Sequence, residues 1–105
     1  MKPTSVNILG KLYAIEYVGK PSDVDIYKRA SLWGQIDFWS RTIRVYEGER
    51  TPADLLETII HEVIHGIASE LELKPLKDGD KAEETVSLLA LALADVLHRN
   101  GWLTA

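Results

Sequence analysis

Apolar and polar residues alternate through "VNILGKLYAIEYV" (Val6–Val18), a stretch rich in β-branched and aromatic side chains. That pattern predicts a strand with a bend at Gly10. "GKPSD" (Gly19–Asp23) reads as a turn from its Gly, Pro and Ser, and "VDIYKRAS" (Val24–Ser31) as a short helix capped by Ser22. "GQIDFW" (Gly34–Trp39) and "TIRVYE" (Thr42–Glu47) alternate again and predict a hairpin turning at Ser40-Arg41. Ile36 and Phe38 would share one face of its first strand, and Ile43 and Val45 one face of the second. Glu47-Gly48-Glu49 ends the strand region.

From Thr51 the period changes to that of a helix. Thr51 is a good N-cap, Pro52 occupies the favoured first position, and Asp54 completes a capping box. Leu55, Ile59, Val63, Ile67 and Leu71 recur at four-residue steps with Leu56, Ile60 and Ile64 beside them, so a long buried helix is expected to about Leu73. "KPLKDGD" (Lys74–Asp80) interrupts it, and a second helix is expected from Asp80 to His98, stopped by Asn100-Gly101. Strands followed by helices give an α+β fold: a small N-terminal sheet of about three strands, one hairpin included, packed on the first helix and then a second.

A chain of 105 residues is read as one domain spanning 1–105. Hydrophobic content of 46% and charged content of 27% fall in the globular range, so a packed core is expected. Cysteine is absent, which excludes disulfides and thiolate metal sites and leaves histidine and carboxylate as metal ligands. The start of the chain lacks the apolar stretch of a signal peptide. "VSLLALALADVL" is interrupted by Asp95 and is too short to span a bilayer. No membrane segment and a cytoplasmic location are therefore expected. Residues 1–50 carry eight Lys/Arg against six Asp/Glu, and residues 51–105 carry four against ten. The second half is acidic and no basic stripe exists, so a nucleic-acid partner is not expected.

The acidic half holds "TIIHEVIHGIAS" (Thr58–Ser69), with two of the three histidines. Residues four apart on a helix differ by about 40° in direction, so His61 and His65 leave one face a turn apart and can share an ion at zinc–nitrogen distances of about 2.0–2.1 Å. Glu62 lies about 100° round the helix, off the ligand stripe but within reach of a water beside the metal. Zinc lowers the pKa of such a water towards about 7 and a neighbouring carboxylate takes its proton, which is why HExxH spacing suits hydrolysis. The competing reading is a core helix with two satisfied imidazoles. HExxH arises in about one shuffled chain of this composition in 200, so chance is a weak explanation. Burying two histidines and a glutamate without compensation would also be costly.

A hydrolytic zinc needs a third protein ligand. The extension HExxHxxGxxH fails, because Ala68 and Leu71 occupy its Gly and His positions. His98 ends the second helix, where it suits the helix dipole. Glu83 and Glu84 stand in that helix's first turn. Glu83 aligns with Val86, Ala90, Leu93 and Leu97, the stripe expected to pack on the first helix, and is favoured. Glu84 aligns with Leu88, Leu91 and Asp95 and stays open.

"HEVIH" followed by a second helix with "EETV" resembles the gluzincin zinc peptidases, and among them the minigluzincins. The resemblance covers most of the chain. In related membrane peptidases the ligand glutamate opens an ExxAD pattern, whereas Val86 and Ser87 stand here at its Ala and Asp positions. The resemblance implies His61, His65 and Glu83 as zinc ligands and Glu62 as general base and acid. It also implies a peptide or unfolded-protein substrate added as a strand to the sheet edge, which the Gly34–Glu47 hairpin would offer. Trp33, Trp39 and Tyr46 are subsite candidates; Tyr46, His98 and Arg44 are candidates to stabilise an oxyanion. The expected function is a zinc endopeptidase, active or latent. In the latent form the tail with Trp102 and Leu103, or the start of the chain, occupies the cleft. The alternative is a zinc-binding but catalytically silent module. A nuclease fits poorly with the acidic second half, and oligomeric state is not legible.

Overall fold

Four strands precede two long helices in the computed structural model, which describes residues 2–77 and 79–101. The strands are β1 (Ser5–Ile8), β2 (Lys11–Val18), β3 (Gly34–Asp37) and β4 (Thr42–Tyr46); the helices are α1 (Pro52–Leu71) and α2 (Asp80–Arg99). The architecture is α+β, with a mixed sheet in the order β1-β2-β4-β3. β2 and β4 run parallel, while β1–β2 and β3–β4 are antiparallel. No helix among the described residues is long and apolar enough to cross a membrane.

The sheet has four strands rather than about three, because Val6–Val18 is not one bent strand. It folds into a hairpin with Ile8 paired to Lys11 and only Leu9 and Gly10 between them. Both turn residues have positive φ, 51° and 90°, the requirement of a type I′ turn. Asn7 Oδ1 accepts a 2.7 Å bond from the Gly10 amide and holds it. Leucine is an unusual first residue for such a turn, which concealed it.

The short helix expected at Val24–Ser31 does not form. The Asp25 carboxylate accepts from the backbone amides of Tyr27 (2.9 Å) and Arg29 (3.1 Å), satisfying donors that a helix would have bonded to its own carbonyls. Lys28 takes a positive φ of 58°, and the segment remains an irregular loop.

The second hairpin forms as expected, with Ile36 opposite Ile43. Ile43 and Val45 are fully buried, but Phe38 lies beyond β3 and is half exposed. Thr51 caps α1, with Asp54 completing the capping box. The helix stops at Leu71, where Glu72 turns left-handed at φ 54°; α2 runs one residue past His98.

Two apolar layers result, both built on α1. Ile8, Tyr13, Ile15, Ile43 and Val45 of the sheet pack on Leu55 and Ile59. Ile64 packs on Val86 and Ala90 of α2. Where α1 crosses the sheet stands Gly66. A Cβ there would lie 2.7 Å from Ile8 Cδ1 and 3.1 Å from Ile36 Cδ1.

Gly66→Val is accordingly expected to destabilise the fold by about 1–3 kcal/mol through overpacking. Loss of the cap in Thr51→Ala is expected to cost about 1 kcal/mol. Denaturant midpoints check both, and a neutral Gly66→Val would mean that the helix–sheet contact is looser than described.

Candidate metal centre

His61 and His65, one turn apart on α1 with side chains about one-fifth exposed, lie between the β3 edge and the start of α2. Glu83, in the first turn of α2, reaches across to both. Its Oε1 lies 2.7 Å from His61 Nε2 and its Oε2 3.1 Å from His65 Nε2, while the two Nε2 atoms are 3.1 Å apart. The three ligand atoms fall within 4.8 Å of one another, close enough to share a metal ion. Tetrahedral bonds of about 2.0–2.1 Å separate neighbouring ligand atoms by roughly 3.3 Å, a little more than the separations here, which are also those of direct hydrogen bonds. The donor types fit: two imidazoles and a carboxylate suit a zinc-like ion. Burial holds His65 below its ordinary pKa, with the Glu83 charge opposing the shift. The net lowering keeps the imidazole neutral near pH 7, with a lone pair to donate.

Glu62 is buried behind this triangle at 7% exposure. Burial first, and then the negative charge of Glu83, push its carboxyl up to about 8, while a bond from the Ile36 amide favours the charged form. That amide is free because of how β3 pairs. Tyr46 donates to the Trp33 carbonyl at 2.9 Å, so by antiparallel alternation Trp33, Gln35 and Asp37 bond β4 while the main-chain groups of Gly34 and Ile36 face outwards. Gly34 also sets the distance to the helix. A Cβ there would lie 2.5 Å from Thr58 Cγ2 and 3.2 Å from Glu62 Oε2.

The free edge of β3 and the triangle line one cleft. One lobe, of about 560 Å³, extends from His61, Glu62 and His65 to Ile36, Phe38, Leu76 and Lys77. The other, of about 310 Å³, is bounded by Trp33, Arg50, Glu57 and Ser87 and shares His61, Glu62 and Glu83. Arg50 lies over the Trp33 ring at 4.4 Å and donates to the Tyr46 and Asp54 carbonyls and Thr58 Oγ1, bracing β4, α1 and the cleft wall.

The structure thus brings His61, Glu62, His65 and Glu83 together, whereas Glu84 is exposed and outside the group. His98 is fifteen residues from Glu83 on the same helix, about 22 Å at 1.5 Å per residue, and cannot join it. The oxyanion candidates do not reach the cleft. Arg44 lies on the other sheet face, bonded to Glu16 and the Asp23 carbonyl, and Tyr46 packs edge-on against Trp33. Of the subsite candidates, Trp33 lines the cleft, whereas Trp39 is 94% exposed at the hairpin tip. Trp102 and Leu103 lie outside the described residues. The start of the chain is tied away from the cleft, with the Thr4 carbonyl accepting from Ile15 and the Pro3 carbonyl from Tyr17. Sequence reasoning missed Gly34 and the Ile36 amide, although an isolated glycine in a strand signals close approach.

Comparison with protein-family models, curated proteins and solved structures finds no match.

A carboxyl whose pKa rises on folding contributes stability that is complete below its unfolded value and lost as pH rises towards about 8. Glu62→Gln, neutral throughout, is therefore expected to exceed wild type in stability by a margin that widens from about pH 5 to about pH 9 in chelator. Urea denaturation across that range checks it. A constant margin would mean that Glu62 is already ionised in the folded chain.

Proposed function

We propose that the protein is a zinc-dependent peptidase of the minigluzincin type, acting on extended or unfolded polypeptide. The observation that carries this reading is the convergence of His61, His65 and Glu83 on one point, with Glu62 beside it and the free edge of β3 along the same cleft. His61, His65 and Glu83 would hold the ion. A zinc ion there would supply Lewis acidity to water and to a peptide carbonyl, and its charge would draw Glu62 back towards the carboxylate form.

The remaining work falls to the chain itself. Gly34 and the Ile36 carbonyl present main-chain groups to an extended substrate, which adds to the sheet as a strand, while the Ile36 amide stays with Glu62. Glu62 takes a proton from a water as it attacks the scissile carbonyl, and returns it to the departing amine. Phe38 and Leu76 give one lobe an apolar wall, and Trp33 with Arg50 gives the other an aromatic and cationic one. A second reading, a zinc-binding but catalytically silent module, draws on one observation: Tyr46, His98 and Arg44 all lie away from the cleft.

The zinc-loaded protein is expected to cleave unfolded casein. Glu62→Gln is expected to keep its zinc and lose activity by about 10²–10⁴-fold, the usual contribution of a general base. Casein cleavage with metal analysis on the same samples checks both. Inactive wild type with full zinc would favour the silent module, and loss of zinc in Glu62→Gln would contradict the division of roles.

A further inference from the structure

β3 is the edge strand that borders the cleft. Like β1 at the other edge it has four residues and one neighbour, so it is held by β4 alone within the sheet, and of its residues Gly34 and Ile36 face α1. Short edge strands fray, yet a strand that accepts a substrate as its next neighbour must hold its outward amides and carbonyls in register. Main-chain bonds to β4 and the packing of Gly34 and Ile36 on α1 leave the other face of the strand to be held.

Support comes from the opposite face. Gln35 and Asp37 point away from α1, and the loop that failed to become a helix lies against both. Gln35 Nε2 donates to Asp25 Oδ1 at 2.9 Å, and Gln35 Oε1 accepts from the Ile26 amide at 3.1 Å. Tyr27 donates its hydroxyl to Asp37 Oδ1 at 2.8 Å. The other oxygen of Asp37 takes the amide and hydroxyl of Ser40, which fixes the turn into β4. Asp25, 1% exposed, also accepts from the Arg29 guanidinium, so one carboxylate ties the loop to itself as well as to β3. A buried carboxylate this fully bonded could serve only to order its own loop. The bonds to Gln35 and from Tyr27 to Asp37, however, leave the loop and end on the two β3 side chains that α1 cannot hold.

We infer that the Val24–Arg29 segment is a clamp that sets the free edge of β3 for an extended substrate, with Asp25 and Tyr27 as positioning residues. The inference rests on the peptidase reading above. Neither residue touches the cleft, so their effect passes entirely through the strand.

Steady-state kinetics of zinc-loaded Tyr27→Phe and Asp25→Asn test this with two substrates, a long unstructured peptide and a short blocked dipeptide that does not extend along β3. Losing one ordering hydrogen bond is expected to raise KM for the long peptide by about fivefold. kcat, zinc content and kinetics on the short substrate should stay within about twofold of wild type. The inference is overturned if KM for the long peptide is unchanged in Tyr27→Phe, or if both substrates lose activity equally, as general loosening would produce. Tyr27→Phe deletes a single hydroxyl and decides the matter even where Asp25→Asn does not fold. Wild type that cleaves neither substrate defeats the peptidase reading and the clamp with it, an outcome distinct from active wild type with indifferent variants.

Discussion

Helix α1 is buried on two sides, against the sheet through Leu55 and Ile59 and against α2 through Ile64, and the cleft lies over it between the β3 edge and the start of α2. A helix wrapped in this way has little freedom to rotate, so the direction in which His61 and His65 point is fixed by the packing of their neighbours. The same packing brings the first turn of α2 alongside, which is why Glu83, eighteen residues beyond His65, can touch both imidazoles. The small side chains along the buried stripe of α2, Ala82, Val86, Ala90 and Ala94, let the two helices approach closely. The apolar core and the polar group are therefore one construction.

Within that construction the charges are in tension. Two imidazoles, a glutamate at contact distance and a second, buried glutamate crowd the cleft where its two lobes meet. Without a cation, Glu62 is driven towards its neutral form by burial and by the charge of Glu83. A divalent ion at the triangle would relieve the repulsion and restore the carboxylate a hydrolase needs.

Much of this was legible in the sequence because helices announce themselves locally. The capping box at Thr51 and Asp54, the four-residue apolar period and the histidine spacing are all encoded within one turn, and each appears where expected. The sheet was less legible. The Leu9-Gly10 turn lacks the Asn-Gly signature of its type, and the loop at Val24–Ser31 carries helix-compatible residues that a single carboxylate, Asp25, diverts into side-chain bonding. Glu83 over Glu84 is argued from a stripe of which Val86 and Ala90 are buried but Leu93 is exposed, the buried line running instead through Ala82, Val86, Ala90 and Ala94. The failure of Arg44, Tyr46 and His98 to reach the cleft could not be argued from the sequence, since it depends on which sheet face and which helix end each occupies.

The account turns on whether three named side chains hold one metal ion. Calorimetric zinc titration of the wild-type chain, with Glu83→Ala and Glu84→Ala alongside, tests this most directly. The account predicts one tight site per chain that survives the change at Glu84 and is lost or severely weakened at Glu83. Equal binding by all three proteins would contradict it, as would a wild-type chain that binds no zinc; in that last case the two histidines and Glu83 would be a hydrogen-bonded cluster on the side of a core helix.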